Sequence, residues 1–246
     1  MNVALAAAAT LVSLAFMLST LDRFLRRRRP HEFAWTVALG LFALGSGALW
    51  WAEANGWSLA SFRVFYLAGA ILNVPWLALG TVYLLSGERR GRQVQRVLVA
   101  ITWLSVGIVL FAPTRLPVGG TELPTGKEVC GGAPRLLAAV GSGVSAVYII
   151  GGALWSAWRV LRHRNAPGRL AVGNVLIALG TLILSASGTL AGRLGKDRAF
   201  AVTLLAGIIV LFAGFLVAPT TRRAVPRHAD PPPDAVTRAS VAAASR

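Results

Sequence analysis

The amino-acid sequence predicts an all-α protein, a polytopic transmembrane bundle of seven helices with its N-terminus outside and its C-terminus in the cytoplasm. Three observations lead to this fold class. Of the 246 residues, 55% are hydrophobic and 14% are charged, whereas a soluble domain carries roughly a quarter charged residues. The apolar residues form seven continuous runs, and most of the cations lie between alternate runs.

Each of these runs is suited to one membrane crossing. A helix needs about 20 mostly apolar residues to cross the hydrocarbon core of about 30 Å. The runs are continuously apolar, and a helix satisfies its own backbone hydrogen bonds in lipid, so helices are predicted throughout. In chain order the runs are Val3–Leu21, Phe33–Ala52, Phe62–Leu85, Val97–Ala112, Leu136–Trp158, Leu170–Leu190 and Phe200–Ala218.

The first run is typical of an uncleaved membrane anchor. No cation precedes it, whereas Arg23 and Arg26–Arg29 follow it directly. A cleaved signal peptide has the opposite order, with its positive charge before the apolar stretch. We therefore expect the anchor to be retained, with its N-terminus outside.

Aromatic and helix-bending residues support the later runs. Trp50 and Trp51 lie at the predicted outer end of the second helix, and Trp155 and Trp158 lie at the inner end of the fifth. Tryptophan rings favour the headgroup level of a bilayer. Pro75 interrupts the third run, and because proline removes a backbone donor, this helix is expected to kink.

The distribution of positive charge sets the orientation. The chain has 25 Lys+Arg against 9 Asp+Glu. With the N-terminus outside, 18 of the 25 cations lie on the inner side, as the positive-inside rule requires. The inner connections are Asp22–Glu32, Ser86–Arg96, Arg159–Arg169 and the tail after Pro219. The basicity thus indicates topology in the cytoplasmic membrane, and the strong bias from Lys to Arg indicates a GC-rich, bacterial genome.

Two parts of the chain are distinguished by composition. Residues 1–220 are predicted to form the seven-helix transmembrane domain. Residues 221–246 are rich in Pro, Ala and charge, a composition that cannot bury enough apolar surface to fold, so we expect a disordered cytoplasmic tail. The outer connection Pro113–Arg135 is rich in Pro and Gly and is expected to form an irregular cap.

A candidate pocket is predicted from polar residues in and near the third helix. Asn73 places an amide near the bilayer midplane, beside Pro75, where it requires a partner. Either the bent helix opens a small polar cavity, or Asn73 makes a structural hydrogen bond, for which Asn174 of the sixth helix is one partner. At the outer ends of the second and third helices, Glu53 and Arg63 form either a surface ion pair or, with Tyr66 one turn below, the mouth of an outward-facing pocket.

Small residues recur at helical spacing in the last three helices. They are Gly141, Ser145, Gly152, Gly173, Gly180, Ser187, Gly207 and Gly214. Small residues let membrane helices approach closely, so we expect contacts inside the bundle. Homo-oligomerisation through one of these faces is the alternative.

Several arginines form a basic cytoplasmic face. They are Arg26, Arg27, Arg28, Arg29, Arg89 and Arg90. Beyond setting the orientation, such a face attracts anionic lipid headgroups. Nucleic acid is not an expected partner, because no soluble recognition module accompanies these loops.

No cofactor or metal site is predicted. Cys130 is the only cysteine, and the three histidines lie outside the apolar runs, which disfavours zinc, iron–sulfur and haem ligation. The topology is shared with microbial rhodopsins, but Phe200–Ala218 contains no lysine to hold retinal.

The function expected from the sequence is non-enzymatic. No hydrolase, zincin or P-loop motif is present, and we expect a receptor-like or scaffold component of the membrane that acts with separate protein partners. Two alternatives remain open. One is a membrane-embedded enzyme acting on a lipid or isoprenoid with Glu53 and Asp197 as acids, and the other is a facilitator for a small neutral solute.

Overall fold

A computed structural model describes residues 2–113, 120, 124, 126–162, 168–191 and 197–217. The tail 221–246, for which disorder is predicted, lies outside the described residues. The regular structure is helical over the described part of the chain. The elements are α1 (Asn2–Arg27), α2 (Pro30–Asn55), α3 (Leu59–Val64), a π-helical segment (Phe65–Leu72), α4 (Asn73–Phe111), α5 (Gly126–Val129), α6 (Gly132–Arg162), α7 (Gly168–Ala191) and α8 (Asp197–Val217).

Five helices in the described part of the chain are long and apolar enough to cross a membrane. They are Val3–Arg27, Pro30–Asn55, Leu59–Phe111, Gly132–Arg159 and Phe200–Val217. In α7 the apolar stretch is shorter, Val172–Leu184. The predicted all-α membrane bundle is confirmed at this level.

The 53-residue apolar helix Leu59–Phe111 folds back on itself. Trp76 and Thr102 are 26 residues apart, which would separate them by about 39 Å along a straight helix. Instead, Trp76 Nε1 donates a hydrogen bond to Thr102 Oγ1 at 3.1 Å. The reversal occurs at Gly87, whose φ of 82° and ψ of 171° are not helical. Hence α4 consists of two antiparallel limbs, residues 73–86 and residues 88–111.

The helices pack as a closed ring. α1 contacts α2 and α8, α2 contacts α4, α4 contacts α6, α6 contacts α7, and α7 contacts α8. We call the end of the bundle that holds α3 and the segment Gly126–Cys130 the cap end. The opposite end, which holds Arg26–Arg29 and the reversal at Gly87, is the basic end.

Glycines bring the last helices into close contact. A Cβ atom added to Gly180 would lie 2.6 Å from the backbone nitrogen of Leu211, and one added to Gly207 would lie 2.7 Å from the Leu184 side chain. Gly214 is equally close to the α7 backbone, at 2.8 Å from the nitrogen of Ile177. The prediction that small residues form contacts inside the bundle is confirmed at these positions.

Candidate functional site

The cap end is built on an aromatic cluster at the start of α3. Ser58 caps this helix, since its hydroxyl accepts from the backbone N–H of Ser61 and Ser61 reciprocates, an arrangement that fixes the helix start. The buried side chains of the cluster are Ala6, Leu49, Ala52, Trp57, Phe62, Val129, Cys130 and Phe200. They come from α1, α2, the turn between α2 and α3, α3, α8 and the segment Gly126–Cys130, so that segment packs onto the cap end.

Tyr66 lies beneath the cap. A Cβ atom on Gly126 would lie 2.7 Å from the Tyr66 ring and 2.8 Å from its hydroxyl oxygen, so the cap rests on this ring only because residue 126 has no side chain. On its other side, Tyr66 stacks on Phe62 with the ring centroids 5.5 Å apart. The predicted pocket residue Tyr66 is therefore half-buried and covered.

The thiol of Cys130 lies in the same cluster. Burial raises the pKa of this thiol above its ordinary value, and the positive charges of Arg135 and Arg63 oppose the shift. Both guanidinium groups therefore lie close enough to act electrostatically on the Cys130 thiol. Because its pKa is raised, Cys130 is a protonated thiol at neutral pH, and the protonated thiol is not the nucleophilic form of cysteine.

Two N–H donors at the cap end have no hydrogen-bond partner among the described residues. They are Arg63 Nε and Trp57 Nε1, and the Trp57 side chain is only 4% exposed. Arg63 uses its Nη2 to donate to the carbonyl oxygen of Ala112 at 3.4 Å. An unfilled buried donor costs about 1–3 kcal/mol, so these two N–H groups are the polar atoms at the cap end for which the described residues supply no acceptor.

Glu53 lies at the end of α2 near this cluster. Its side chain is half-buried and has an interaction of its own. The ion pair between Glu53 and Arg63 stays a prediction, and so does the role of Glu53 at the mouth of a pocket.

A kink is predicted at Pro75, and the structure has a π-helical segment that ends at Leu72, three residues before this proline. Proline lacks the N–H that would bond to the preceding turn, and its ring crowds the carbonyl there. A hydroxyl from α6 compensates, because Ser142 Oγ donates to the carbonyl oxygen of Ala70 at 2.6 Å. Gly141 lies beside this contact, and a Cβ atom added to it would be in ordinary van der Waals contact with Pro75 Cγ at 3.7 Å.

The structure does not bring Asn73 and Asn174 together by a hydrogen bond. Asn174 Nδ2 donates to Ser156 Oγ on α6 at 2.8 Å. Asn73 Oδ1 is buried and has no hydrogen-bond partner in the residues that the structure describes. Asn174 thus links α7 to α6, and the amide oxygen of Asn73 is left for another partner.

The predicted basic face is mostly exposed. Arg26, Arg27, Arg28, Arg89 and Arg90 are exposed, and Arg29 is half-buried. Beside it, a cavity of about 370 Å³ is lined by Arg92, Gln95, Arg96 and Val99. Arg92 also pairs with Glu88 at 3.2 Å. Two guanidinium groups next to an apolar side chain suit an anionic headgroup and the start of its acyl chain.

Glu32, which was predicted to lie in the connection Asp22–Glu32, is a buried carboxylate. It lies in the first turn of α2, is 2% exposed, and its Oε2 has no hydrogen-bond partner among described residues. The charges of Arg23, Arg27 and Arg29 act on it, and Arg23 lies 3.8 Å above the ring of Phe215 on α8. The sequence signal for the burial of Glu32 was its spacing. Glu32 precedes the buried Leu39 by seven residues, so the two side chains lie on the same face of α2.

A comparison of the chain with protein-family models, with curated proteins and with solved structures finds no match in any of the three.

Proposed function

We propose that the protein is an integral membrane protein of the cytoplasmic membrane with seven spans, its cap end outside and its basic end in the cytoplasm. The reversal at Gly87 supports the number of spans. It divides Leu59–Phe111 into parts of about 42 Å and about 36 Å, and each exceeds the hydrocarbon thickness of about 30 Å. The other five spans are α1, α2, α6, α7 and α8.

The orientation is supported by charge. The reversal at Gly87, the end of α1 and the start of α2 all lie at the basic end, with Arg26–Arg29, Arg89 and Arg90 around them. Cationic connections stay on the cytoplasmic side of a membrane. In this orientation the basic face meets anionic lipid headgroups, and the cavity beside Arg92 and Arg96 is their proposed binding site.

We further propose a non-enzymatic, receptor-like role in which the cap end takes an acceptor-bearing ligand and the basic face acts with separate protein partners. The observation that carries this proposal is the pair of unfilled donors, Arg63 Nε and Trp57 Nε1. A carboxylate or carbonyl oxygen satisfies such donors, and hydrogen bonds from a guanidinium to a carboxylate are among the strongest in proteins.

Indole N–H signals test this role directly. The protein, labelled with ¹⁵N-tryptophan in lipid nanodiscs, is titrated with small carboxylates and neutral amides, and Trp57→Phe assigns the signal of Trp57. We expect a saturable shift of that signal which Arg63→Gln weakens at least tenfold. Trp103 is the internal control, because it is 72% exposed on the outer surface of the bundle and should not respond.

Two outcomes would contradict the proposal. One is a Trp57 signal that no acceptor moves, or that moves together with the signal of Trp103. The other is a catalytic turnover by the purified protein that Glu53→Ala or Asp197→Ala abolishes, because such a result would make the protein an enzyme.

A further inference from the structure

The cavity at the basic end is lined by one face of the second limb of α4. Its lining residues are Arg92, Gln95, Arg96 and Val99, at positions i, i+3, i+4 and i+7, which are neighbours on a helix surface. The side chains of Arg92, Arg96 and Val99 are exposed, and Gln95 is half-buried. This face therefore presents two guanidinium groups and one amide in a row that ends at an apolar side chain.

The first limb of α4 holds the amide of Gln95. Tyr83 is only 7% exposed and donates through its hydroxyl to Gln95 Oε1. This bond leaves the NH₂ group of Gln95, which only donates, for another partner. Tyr83 is itself placed by Gly91, since a Cβ atom added there would overlap the tyrosine ring. The protein thus fixes Gln95 from one side, and the polar groups that it gives to the cavity are hydrogen-bond donors.

The row of side chains lies at a depth that suits the inner edge of the hydrocarbon layer. About 20 helical residues span this layer, and counting about that many back from the end of the limb at Phe111 reaches Arg92. Arg96 lies one turn deeper, about 6 Å further along the helix. An arginine at this depth extends its guanidinium group to the headgroups along its apolar stem. Val99, nearly one turn deeper again, lies where an acyl chain begins.

The two arginines differ in the counter-charge that the protein supplies. Arg92 Nη1 lies 3.2 Å from Glu88 Oε1, so part of its charge is balanced. Arg96 makes no ion pair with the residues that the structure describes. A cation beside lipid requires an anionic or carbonyl partner. A phosphate group fits this row, because it carries negative charge and accepts hydrogen bonds on several oxygens.

We propose that Arg92 and Arg96 bind the phosphate of one anionic phospholipid of the cytoplasmic leaflet, with Val99 against the start of its acyl chain. Gln95 donates to the same phosphate, and Tyr83 is a positioning residue that orients this amide. The inference rests on the proposed orientation of the chain. It makes the lipid contact of the basic face one built site, as distinct from a general attraction of lipid to exposed arginines.

Native mass spectrometry of the full chain in detergent, titrated with phosphatidylglycerol, tests the site. We expect one lipid to bind ahead of all others, and Arg96→Gln to weaken its binding about tenfold through the loss of a charged hydrogen bond. Arg89→Gln is the matched control, because it removes the same charge from an exposed arginine outside the cavity. This control should change the affinity less than about twofold.

Tyr83→Phe tests the positioning role, because it changes no charge. It should weaken phosphatidylglycerol binding about threefold by releasing the amide of Gln95. In a Gln95→Ala background the same change should have no further effect. A loss of affinity that persists in that background would show a merely structural role and would contradict the positioning of Gln95.

The remaining outcomes separate this site from the proposed role of the basic face. Equal weakening by Arg96→Gln and Arg89→Gln, with no effect of Tyr83→Phe, would overturn the site and leave the general attraction to anionic lipid intact. Equal binding of phosphatidylglycerol and phosphatidylethanolamine would contradict both. Displacement of the bound lipid by inorganic phosphate at equal concentration would show a site for a free anion and would overturn the assignment to a lipid.

Discussion

Replacing Gly87 with alanine tests the reversal of α4 through backbone strain alone. The residue has φ 82° and ψ 171°, a conformation adopted essentially by glycine, and holding another residue there costs about 1–3 kcal/mol. A Cβ atom at this position would meet no atom within 4 Å. The loss of stability on Gly87→Ala is therefore conformational and contains no contribution from a clash.

Gly107→Ala is the matched control on the second limb. A Cβ atom there also has no neighbour within 4 Å, but Gly107 lies inside the helix, where alanine is favoured by about 1 kcal/mol. The two variants, compared by SDS-induced unfolding in mixed micelles, should differ by roughly 2–4 kcal/mol in the free energy of unfolding, with Gly87→Ala the less stable. Equal stability of the two variants would refute the reversal at Gly87.

Three further predictions concern close packing, an aromatic contact and the buried thiol. Gly180→Val should cost about 1–3 kcal/mol in SDS unfolding, because a Cβ there lies 2.6 Å from the backbone of Leu211; wild-type stability would contradict the α7–α8 contact. Arg23→Ala should cost about 1 kcal/mol more than Arg27→Ala, since only Arg23 stacks on an α8 ring at 3.8 Å; equal losses would exclude that contact. Burial raises the pKa of Cys130, so the pH at which its alkylation by iodoacetamide increases should be higher in the folded protein than in the unfolded protein. The stability that the neutral thiol contributes should fall as pH rises through this raised pKa. Coincident pH profiles would contradict the burial.

The sequence located the helices through their apolar runs but not the ends of the helices. The fourth run begins at Val97, whereas the second limb of α4 begins at Glu88, because the charged residues of this stretch stay helical and pair at i and i+4, as Glu88 does with Arg92. In the same way, α1 continues to Arg27, with Arg26 paired to Asp22. Hydropathy detects only the part of a helix that lies in lipid.

The candidate sites were predictable only in part. Asn73, Arg63 and Tyr66 are recognisable from their chemistry near the membrane, but their partners depend on tertiary register. Ser105 carries no signal in the sequence, because a single serine in an apolar run normally bonds to its own helix. Its burial follows from the reversal at Gly87, which packs residues 88–111 against the rest of the bundle. Glu32 was missed for a related reason, since its burial depends on how α1, α2 and α8 converge.

We propose that the chain crosses the membrane seven times, with the reversal at Gly87 on the cytoplasmic side. Cys130 is the only cysteine, so Cys130→Ser provides a background in which single cysteines are introduced at the exposed positions Asn55 and Glu88. Intact cells are treated with a membrane-impermeant maleimide. We predict that Asn55→Cys is labelled in intact cells and Glu88→Cys only after the membrane is permeabilised, whereas labelling of Glu88→Cys in intact cells would contradict the account.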